Sequence, residues 1–529
     1  MTSLATPLGQ PTPTAAPAAQ PFGARIVVGL LGVLLASLTA GLNGHVTEIA
    51  MTDVRGALAI GHDEGTWLTV LYEATQVAAM AFAPWCSVTF SLRRFTLFAI
   101  GGFALLALLC PFAPNLESLL VLRTLQADGR LPAANADDRG ATLPATRDKA
   151  LWPGRLCPHR DLRAQPGPAT GGVLVRIRRL AVGVLAGHST VPGGDGRGVP
   201  WHPPGPGAPG TLPPVRRHRP AHRLPGDLRL VIGLLQGERL DWFESPLICL
   251  LLGSGSLLLG LFLVNEWSHP LPFFRLQLLK RRNLTFALIT LAGVLVVLGA
   301  SMGVPTEFLA EIRGYRPLQS VPMVLLVALP QLVALPLVAA LCNIPRVDCR
   351  WVLACGLCLC AGACLSFSQL TADWVREDFY LPMLLLVVGQ PMAVIPLLML
   401  STSVIAPIEG PFASAWFNTV RGFSGVVATA VIGALGTARE HYHSNRLVDH
   451  LGNASQAVEL RLQQIAGLQP GADSGAHWQH LAEQARQQAQ VLGNADVLLA
   501  MAGLACALLI LIPILPQRAY PPRPVAPTH

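Results

Sequence analysis

The chain has 529 residues, 52% of them apolar and only 13% charged, with 38 Lys+Arg against 30 Asp+Glu for a formal net charge of +8. Residues 127–227 alone hold 15 of the basic and 7 of the acidic residues, leaving 23 of each sign elsewhere, so the rest of the chain is neutral. The basic balance therefore describes one segment. It is not read as a nucleic-acid-binding signal for the whole protein, and no nucleic-acid partner is expected.

Residues 1–24 are rich in Pro, Ala, Thr and Gln and carry no charge before Arg25. They lack the basic start of a signal peptide and read as a flexible tail. Membrane-helix sequence follows over residues 25–126. A helix needs about 20 mainly apolar residues to cross a bilayer core of about 30 Å, where no water satisfies the backbone. Stretches of that kind run over residues 26–44, 66–88 and 95–112, and a partial one covers 119–126.

Residues 127–227 break the pattern. They are rich in Pro, Arg, Gly and Ala, contain no Glu, Phe, Tyr or Met, and have only Trp152 and Trp201 as aromatics. GC-rich coding DNA read out of frame gives this vocabulary. A one-base shift of 185–192 permits W-Q-A-I-P-L-C, and the same shift of 163–172 permits G-P-N-L-G-P-P-L-A, although wobble bases leave freedom in choosing codons. Two further readings stand beside a paired frameshift. One is a genuine Pro/Arg-rich cytoplasmic loop, disordered because it cannot bury enough apolar surface to offset chain entropy. The other is a basic module in which Arg176, Arg178, Arg179, Arg216, Arg217 and Arg219 meet the phosphates of nucleic acid or anionic lipid; the scarcity of aromatics and of periodicity speaks against it.

Membrane sequence resumes over residues 228–437, with a partial span at 228–235 and full ones at 246–264, 284–304, 320–341, 351–367, 379–401 and 412–436. Residues 438–496 are polar, and within them 457–468 and 477–492 read as two helical arms around a Gln-Pro-Gly break. A last span at 497–514 leads into the C-terminal tail, which ends at residue 529. Arg93 and Arg94, Lys280 to Arg282, and Arg346 with Arg350 mark cytoplasmic loops by the positive-inside tendency, so the polar loop faces the other side. Two restored spans and two completed partial ones bring the crossings to about fourteen, with both termini inside.

Ionisable and strongly polar residues at bilayer depth are functional candidates, because each costs several kcal/mol unless paired or hydrated. Glu73 and Gln76 lie in the second span, Arg123 in the fourth and Arg421 in the next-to-last. Asn43 and Glu48 at the end of the first span, and Gln390 in a later one, are further cavity candidates. The alternative for all of them is that they hold helices together. Cys355, Cys358, Cys360 and Cys364 include a C-x-x-C but share one apolar span with no nearby His or carboxylate, so they read as packing residues. His441, His443, His477 and His480 read as a solvated face. No metal site, catalytic residue or cofactor is expected; the lack of a P-loop removes the indication of ATP-driven pumping.

Several phrases carry a family resemblance. L-L-Q-G-E-R-L-D-W-F-E-S at 234–245 resembles the segment before the eighth span in the fourteen-helix EmrB/QacA-type drug:proton antiporters of the major facilitator superfamily. K-R-R-N-L-T-F at 280–286, G-Y-R-P-L-Q at 314–319, G-Q-P-M-A-V-I-P-L at 389–397 and E-G-P-F-A-S-A-W-F-N-T-V-R at 409–421 match further. Arg123-Thr-Leu-Gln126 is similar to the family's fourth-helix R-x-x-Q-G. The Gly/Asp-rich loop between helices two and three is reduced to F-S-L-R-R-F, and the Gly/Pro-rich fifth helix is absent.

The resemblance implies an all-α polytopic integral membrane protein with the superfamily's two-bundle architecture, extra helices, and an N-terminal bundle interrupted at residue 127. It implies proton-coupled efflux of drugs or other amphipathic small molecules by alternating access, with the proton gradient as energy source. Glu73 would carry the proton and Arg123 tune it, with Gln126, Gln76, Asn43, Glu48, Gln390 and Arg421 around the cavity. Membrane lipid, and in a double-membrane bacterium a periplasmic adaptor and an outer-membrane channel, are the implied partners. The rival reading is a frameshifted product that transports nothing, because loss of two spans would expose apolar helix faces.

Overall fold

The computed structural model describes residues 51–89, 92–128, 220–267, 274–344, 346–402, 405, 409–452, 456–468 and 473–514. Among them every regular element is a helix. The expected first span at 26–44, with Asn43 and Glu48, and most of the segment 127–227 lie outside the described residues.

Four helices come first: α1 (Met51–Leu58), α2 (His62–Thr89), α3 (Leu92–Leu109) and α4 (Leu116–Asp128). The partial span expected at 119–126 is thus a full turn longer in its described part, and its start is fixed by Asn115, whose Oδ1 accepts the Ser118 N–H at 3.0 Å. After the gap come α5 (Pro220–Gly237) and α6 (Pro246–Trp267). The partial span expected at 228–235 is the second half of α5, so this helix begins inside the segment expected to be irregular. Glycines bring α5 and α6 together: a Cβ on Gly226 would stand 3.2 Å from Leu258 Cβ, and one on Gly255 2.9 Å from Leu230 Cγ. Small residues at such crossings let membrane helices approach backbone to backbone.

The second half of the chain supplies α7 (Arg282–Glu311), α8 (Pro317–Cys342), α9 (Cys349–Phe367), α10 (Tyr380–Thr402), α11 (Gly410–Gly452), α12 (Gln456–Leu468) and α13 (Ser474–Leu511). Asp348 caps α9 by accepting the Arg350 N–H at 3.0 Å, and Asp473 caps α13 by accepting that of Ala476 at 2.8 Å. The main apolar core is shared by α7, α9, α10 and α13. α9 and α10 cross most tightly, since a Cβ on Gly356 would meet Ala393 N and Met392 C at 2.5 Å, while one on Gly389 would meet Leu359 Cβ at 2.9 Å. The cysteines of α9 fit this picture: Cys360 and Cys364 are buried packing residues, whereas Cys355 and Cys358 are exposed.

Seven described helices are long and apolar enough to cross a bilayer. Phe98, Trp351 and Ile510 are among the large apolar side chains that point outward, a surface that suits lipid rather than water. The chain is a multi-pass membrane protein. α11 has 43 residues and α13 has 38. At about 1.5 Å per residue each is close to twice as long as a bilayer core of about 30 Å is thick. Their polar halves therefore continue the spans into the loop 438–496 as one rod each. Arg439 and His443 of α11 join Asp496 of α13 there, at 2.7 Å from Arg439 Nε and 2.7 Å from His443 Nε2 to Asp496 Oδ2. α12 closes on α13 through Val458, Ile465 and Leu481.

Two groups of helices result. α2, α3 and α4 pack together in the first half, and α7 to α11 with α13 pack together in the second. α2 and α11 join the groups, and the α5–α6 pair attaches where they meet, with α5 touching both.

Candidate functional site

The seam between the groups is built from small and branched apolar residues. Val77 of α2 faces Gly422 of α11, where a Cβ would stand 3.2 Å from Val77 Cγ1. Val231 of α5 completes a three-helix contact with Ala74 and Val77 of α2 and Val426 of α11. The contact is apolar, with no hydrogen bond or ion pair among these side chains.

Polar side chains sit on either side of the seam. In the first group, Arg123 is 3% exposed, and its Nη1 donates to Gln126 Oε1 at 2.7 Å. Its Cζ lies 4.4 Å from the centroid of the buried Tyr72 ring, so the guanidinium is held by a charge-assisted hydrogen bond and a cation–π contact together. Cys110 Sγ approaches the same Gln126 oxygen at 3.9 Å. The structure thus brings Arg123 and Gln126 together, as the R-x-x-Q spacing of one helical turn requires. Glu73 is next to Tyr72 on α2 but exposed, and Gln76 is half-buried one turn on.

In the second group Gln390 is buried in α10, and Arg421 is half-buried on α11, beside Gly422 at the seam. Several buried polar residues joining them are absent from the candidates picked by charge and motif. Asn418 is buried one turn before Arg421 and donates from Nδ2 to Ser414 Oγ at 3.3 Å. Gln331, buried beside a helix-interior proline in α8, donates to the Val387 carbonyl at 3.3 Å. Asp227 is wholly buried in α5. Asn418 lies inside a quoted phrase, and Gln331 follows Pro330 in an apolar span, so both were within reach of the rule that polar residues at bilayer depth are functional candidates. Asp227 was not, because it falls in the segment whose composition hides the helix.

The motif at 234–245 becomes a compact turn at one end of the seam. Gly237 is required because a Cβ there would strike the Trp242 ring at 2.6 Å. Trp242 Nε1 donates to Glu238 Oε2 at 3.1 Å, Arg239 Nε to Gln236 Oε1 at 2.8 Å, and Arg239 Nη1 pairs with Asp63 Oδ1 of α2 at 3.0 Å. Asp241 and Trp242 take left-handed backbone angles, φ 54° and 47°. Trp242 in that region is strained, and its ring contacts are what hold it.

At the other end, the phrases at 280–286 and 409–421 meet. Glu409 accepts from Arg281 Nη2 at 2.8 and 3.0 Å and lies 3.8 Å from Arg275, while Trp416 Nε1 donates to the Arg275 carbonyl at 3.3 Å. Arg281 is one of the residues expected to mark a cytoplasmic loop. Asp63, Arg239 and the polar halves of α11 and α13 therefore share the opposite side.

The proteins this chain resembles are membrane transporters. The family model described as Major Facilitator Superfamily matches residues 208–429, and over that stretch the chain is similar to that superfamily. More particularly, it is similar to the fatty acid resistance protein FarB of Neisseria gonorrhoeae, 24% identical over 531 residues that cover 93% of this chain and 96% of the relative. It is also similar to the multidrug export protein EmrB of Escherichia coli K12, 21% identical with 93% and 95% of the two chains covered. Among solved structures it shares its fold with the human organic anion transporter MFSD10, at a TM-score of 0.55 and 13% identity, covering 93% of this chain and 100% of that one.

Proposed function

We propose that this protein exports amphipathic small molecules across the membrane, coupled to proton entry by alternating access. The observation that carries the reading is the seam at Val77 and Gly422, flanked by Arg123 with Gln126 on one side and by Arg421 on the other. Ionisable groups placed beside a pivot change their surroundings as the groups of helices rock, which is the requirement for converting proton binding into movement. The relatives' names, fatty acid resistance and multidrug export, support the substrate class. On this reading Glu73 carries a transported proton, Arg123 tunes it, and the rods of α11 and α13 stand where a periplasmic adaptor leading to an outer-membrane channel would meet the transporter.

The test is transport in proteoliposomes under an imposed pH gradient, with fluorescent lipophilic drugs and a medium-chain fatty acid as separate substrates. Gradient-dependent movement of either substrate, collapsed by a protonophore, is expected. Glu73→Gln should abolish it while membrane insertion stays intact. Transport that ignores the gradient in the wild type would remove proton coupling, and full activity in Glu73→Gln would remove Glu73 from it.

A further inference from the structure

Asp227 is a buried carboxylate that neither motif nor charge pattern singles out. It is 0% exposed and lies in the middle of α5, the helix wedged between the two groups. Val231, one turn further on, is also 0% exposed and touches Ala74 and Val77 of α2 and Val426 of α11. Residues four apart lie one above the other on a helix, so Asp227 is on the face that α5 turns toward the seam. Its neighbour Gly226 faces the other way, against Leu258 and Leu259 of α6. The close fit of Gly226 and Gly255 makes α5 and α6 a tight pair, so relative motion of the two groups is felt at the face holding Asp227.

We propose that Asp227 is a proton-binding carboxylate of the transport cycle, its protonation tied to movement at the seam. The inference rests on the proton-coupled reading above. A carboxylate at this depth keeps its charge only while a cationic or hydrogen-bonding partner is near, and gives that charge up to a proton when the partner withdraws. Among the described side chains of the spans packed on α5, the ionisable groups are Tyr72 and Glu73 on α2, Cys249 and Glu266 on α6, and Arg421 on α11; Asp63 and Glu64 sit at the outer end of α2, Glu238, Arg239, Asp241 and Glu244 in the turn before α6, and Arg229 on α5 itself. Arg421 is the cation of this set that belongs to the second group of helices, and Glu73 belongs to the first. Rocking therefore changes the charge balance around Asp227 in opposite senses in the two states. The step is a simple exchange: a carboxylate oxygen takes a proton from the outer side in one state and releases it to the cytoplasm in the other, with no bond made or broken in the substrate.

The experiment measures protons released per substrate bound by the purified full chain in detergent, with a pH-sensitive dye, alongside gradient-driven efflux in proteoliposomes. Asp227→Asn is expected to lower the protons released per substrate bound and to lose uphill efflux, and Asp227→Glu to recover both in part. The ratio is insensitive to a loss of folded protein, which lowers both quantities together. Wild-type proton release per substrate in Asp227→Asn would overturn the proposal, as would failure of Asp227→Glu to recover any proton release while still binding substrate. If Asp227→Asn fails to fold, labelling of wild-type membranes with a lipophilic carbodiimide decides: an adduct on Asp227 that fades from acid to alkaline pH is expected, and no adduct overturns the proposal. A wild-type protein that releases no proton on binding substrate would instead defeat the proton-coupled reading itself.

Discussion

Arg123→Ala removes two interactions whose size follows from the structure. The 2.7 Å bond from Arg123 Nη1 to Gln126 Oε1 is charge-assisted and buried. Bonds of that kind contribute about 1.5–3 kcal/mol net. The guanidinium stacked 4.4 Å from the Tyr72 centroid adds a desolvated cation–π contact. Such a contact is worth about 2 kcal/mol, and since both involve one side chain the total is set at about 3 kcal/mol rather than the plain sum. Because Tyr72 is on α2 and Arg123 on α4, the loss loosens the packing of those two helices. Arg123→Lys keeps a charge but not the planar fork, and should recover less than half of the loss. The assay is thermal unfolding of detergent-solubilised protein followed by size-exclusion chromatography. An Ala variant melting within about 1 °C of wild type, where about 3 kcal/mol should move the midpoint by several degrees, would refute the reasoning. Transport separates the roles: Arg123→Ala should weaken efflux and shift its pH dependence, and an unshifted pH profile would leave Arg123 a structural residue.

Two further outcomes test the packing. Gly356→Val places a Cβ 2.5 Å from Ala393 N and Met392 C, so α9 and α10 must part by about 0.9 Å to restore ordinary contact at 3.4 Å. The cost should reach about 3 kcal/mol, several times any gain in helix propensity, and an unchanged melting temperature would show that the crossing is looser than described. Asp496→Asn weakens the tie that holds Arg439 and His443 at 2.7 Å across the two rods. Faster amide hydrogen exchange over residues 437–452 is expected, with residues 412–436 unchanged; equal protection in variant and wild type would mean that the rods are held by other contacts.

The helices were legible wherever apolar runs were long, as in α6 to α10, because a bilayer imposes one solution on such runs. Their ends were less so. The sequence predicts no helix over 437–452 and separates an arm at 477–492 from the span at 497–514, because hydropathy falls after about residue 436 and rises again at 497, yet helical backbone bonding is indifferent to that change and α11 and α13 run on through polar residues. Arg123 was found from its depth and, with Gln126, from the resemblance of 123–126 to the family's fourth-helix motif; one turn of helix brings the two together. Glu73 was found from its depth, but its exposure depends on which way α2 is turned, and that is decided by Val77 meeting Gly422, a contact between residues far apart in sequence. The reading of residues 127–227 as out-of-frame text rests on composition. Residues 129–219 of it lie outside the described structure, and at both edges a helix, α4 or α5, extends into it.

The phrase at 234–245 illustrates what motif and structure each contribute. As sequence it supports a resemblance but gives no reason for its own composition. Once folded, its polar side chains find their partners within the turn and on α2. Gln236 and Arg239 bond each other, Glu238 holds Trp242, and Arg239 reaches Asp63 on α2. The glycine is there because the indole needs its space. The Asp63 side chain is 77% exposed, so its pair with Arg239 adds little stability, about 1 kcal/mol or less. On the alternating-access reading proposed above, this weak tie between α2 and the α5–α6 turn, on the side opposite the Arg281–Glu409 pair, is a contact able to break and re-form. Arg123 with Gln126 and Tyr72 is buried inside the first group, Val77, Val231 and Val426 bury an apolar contact where the groups meet, and the exposed Asp63–Arg239 pair adds only a polar tie at one edge of it.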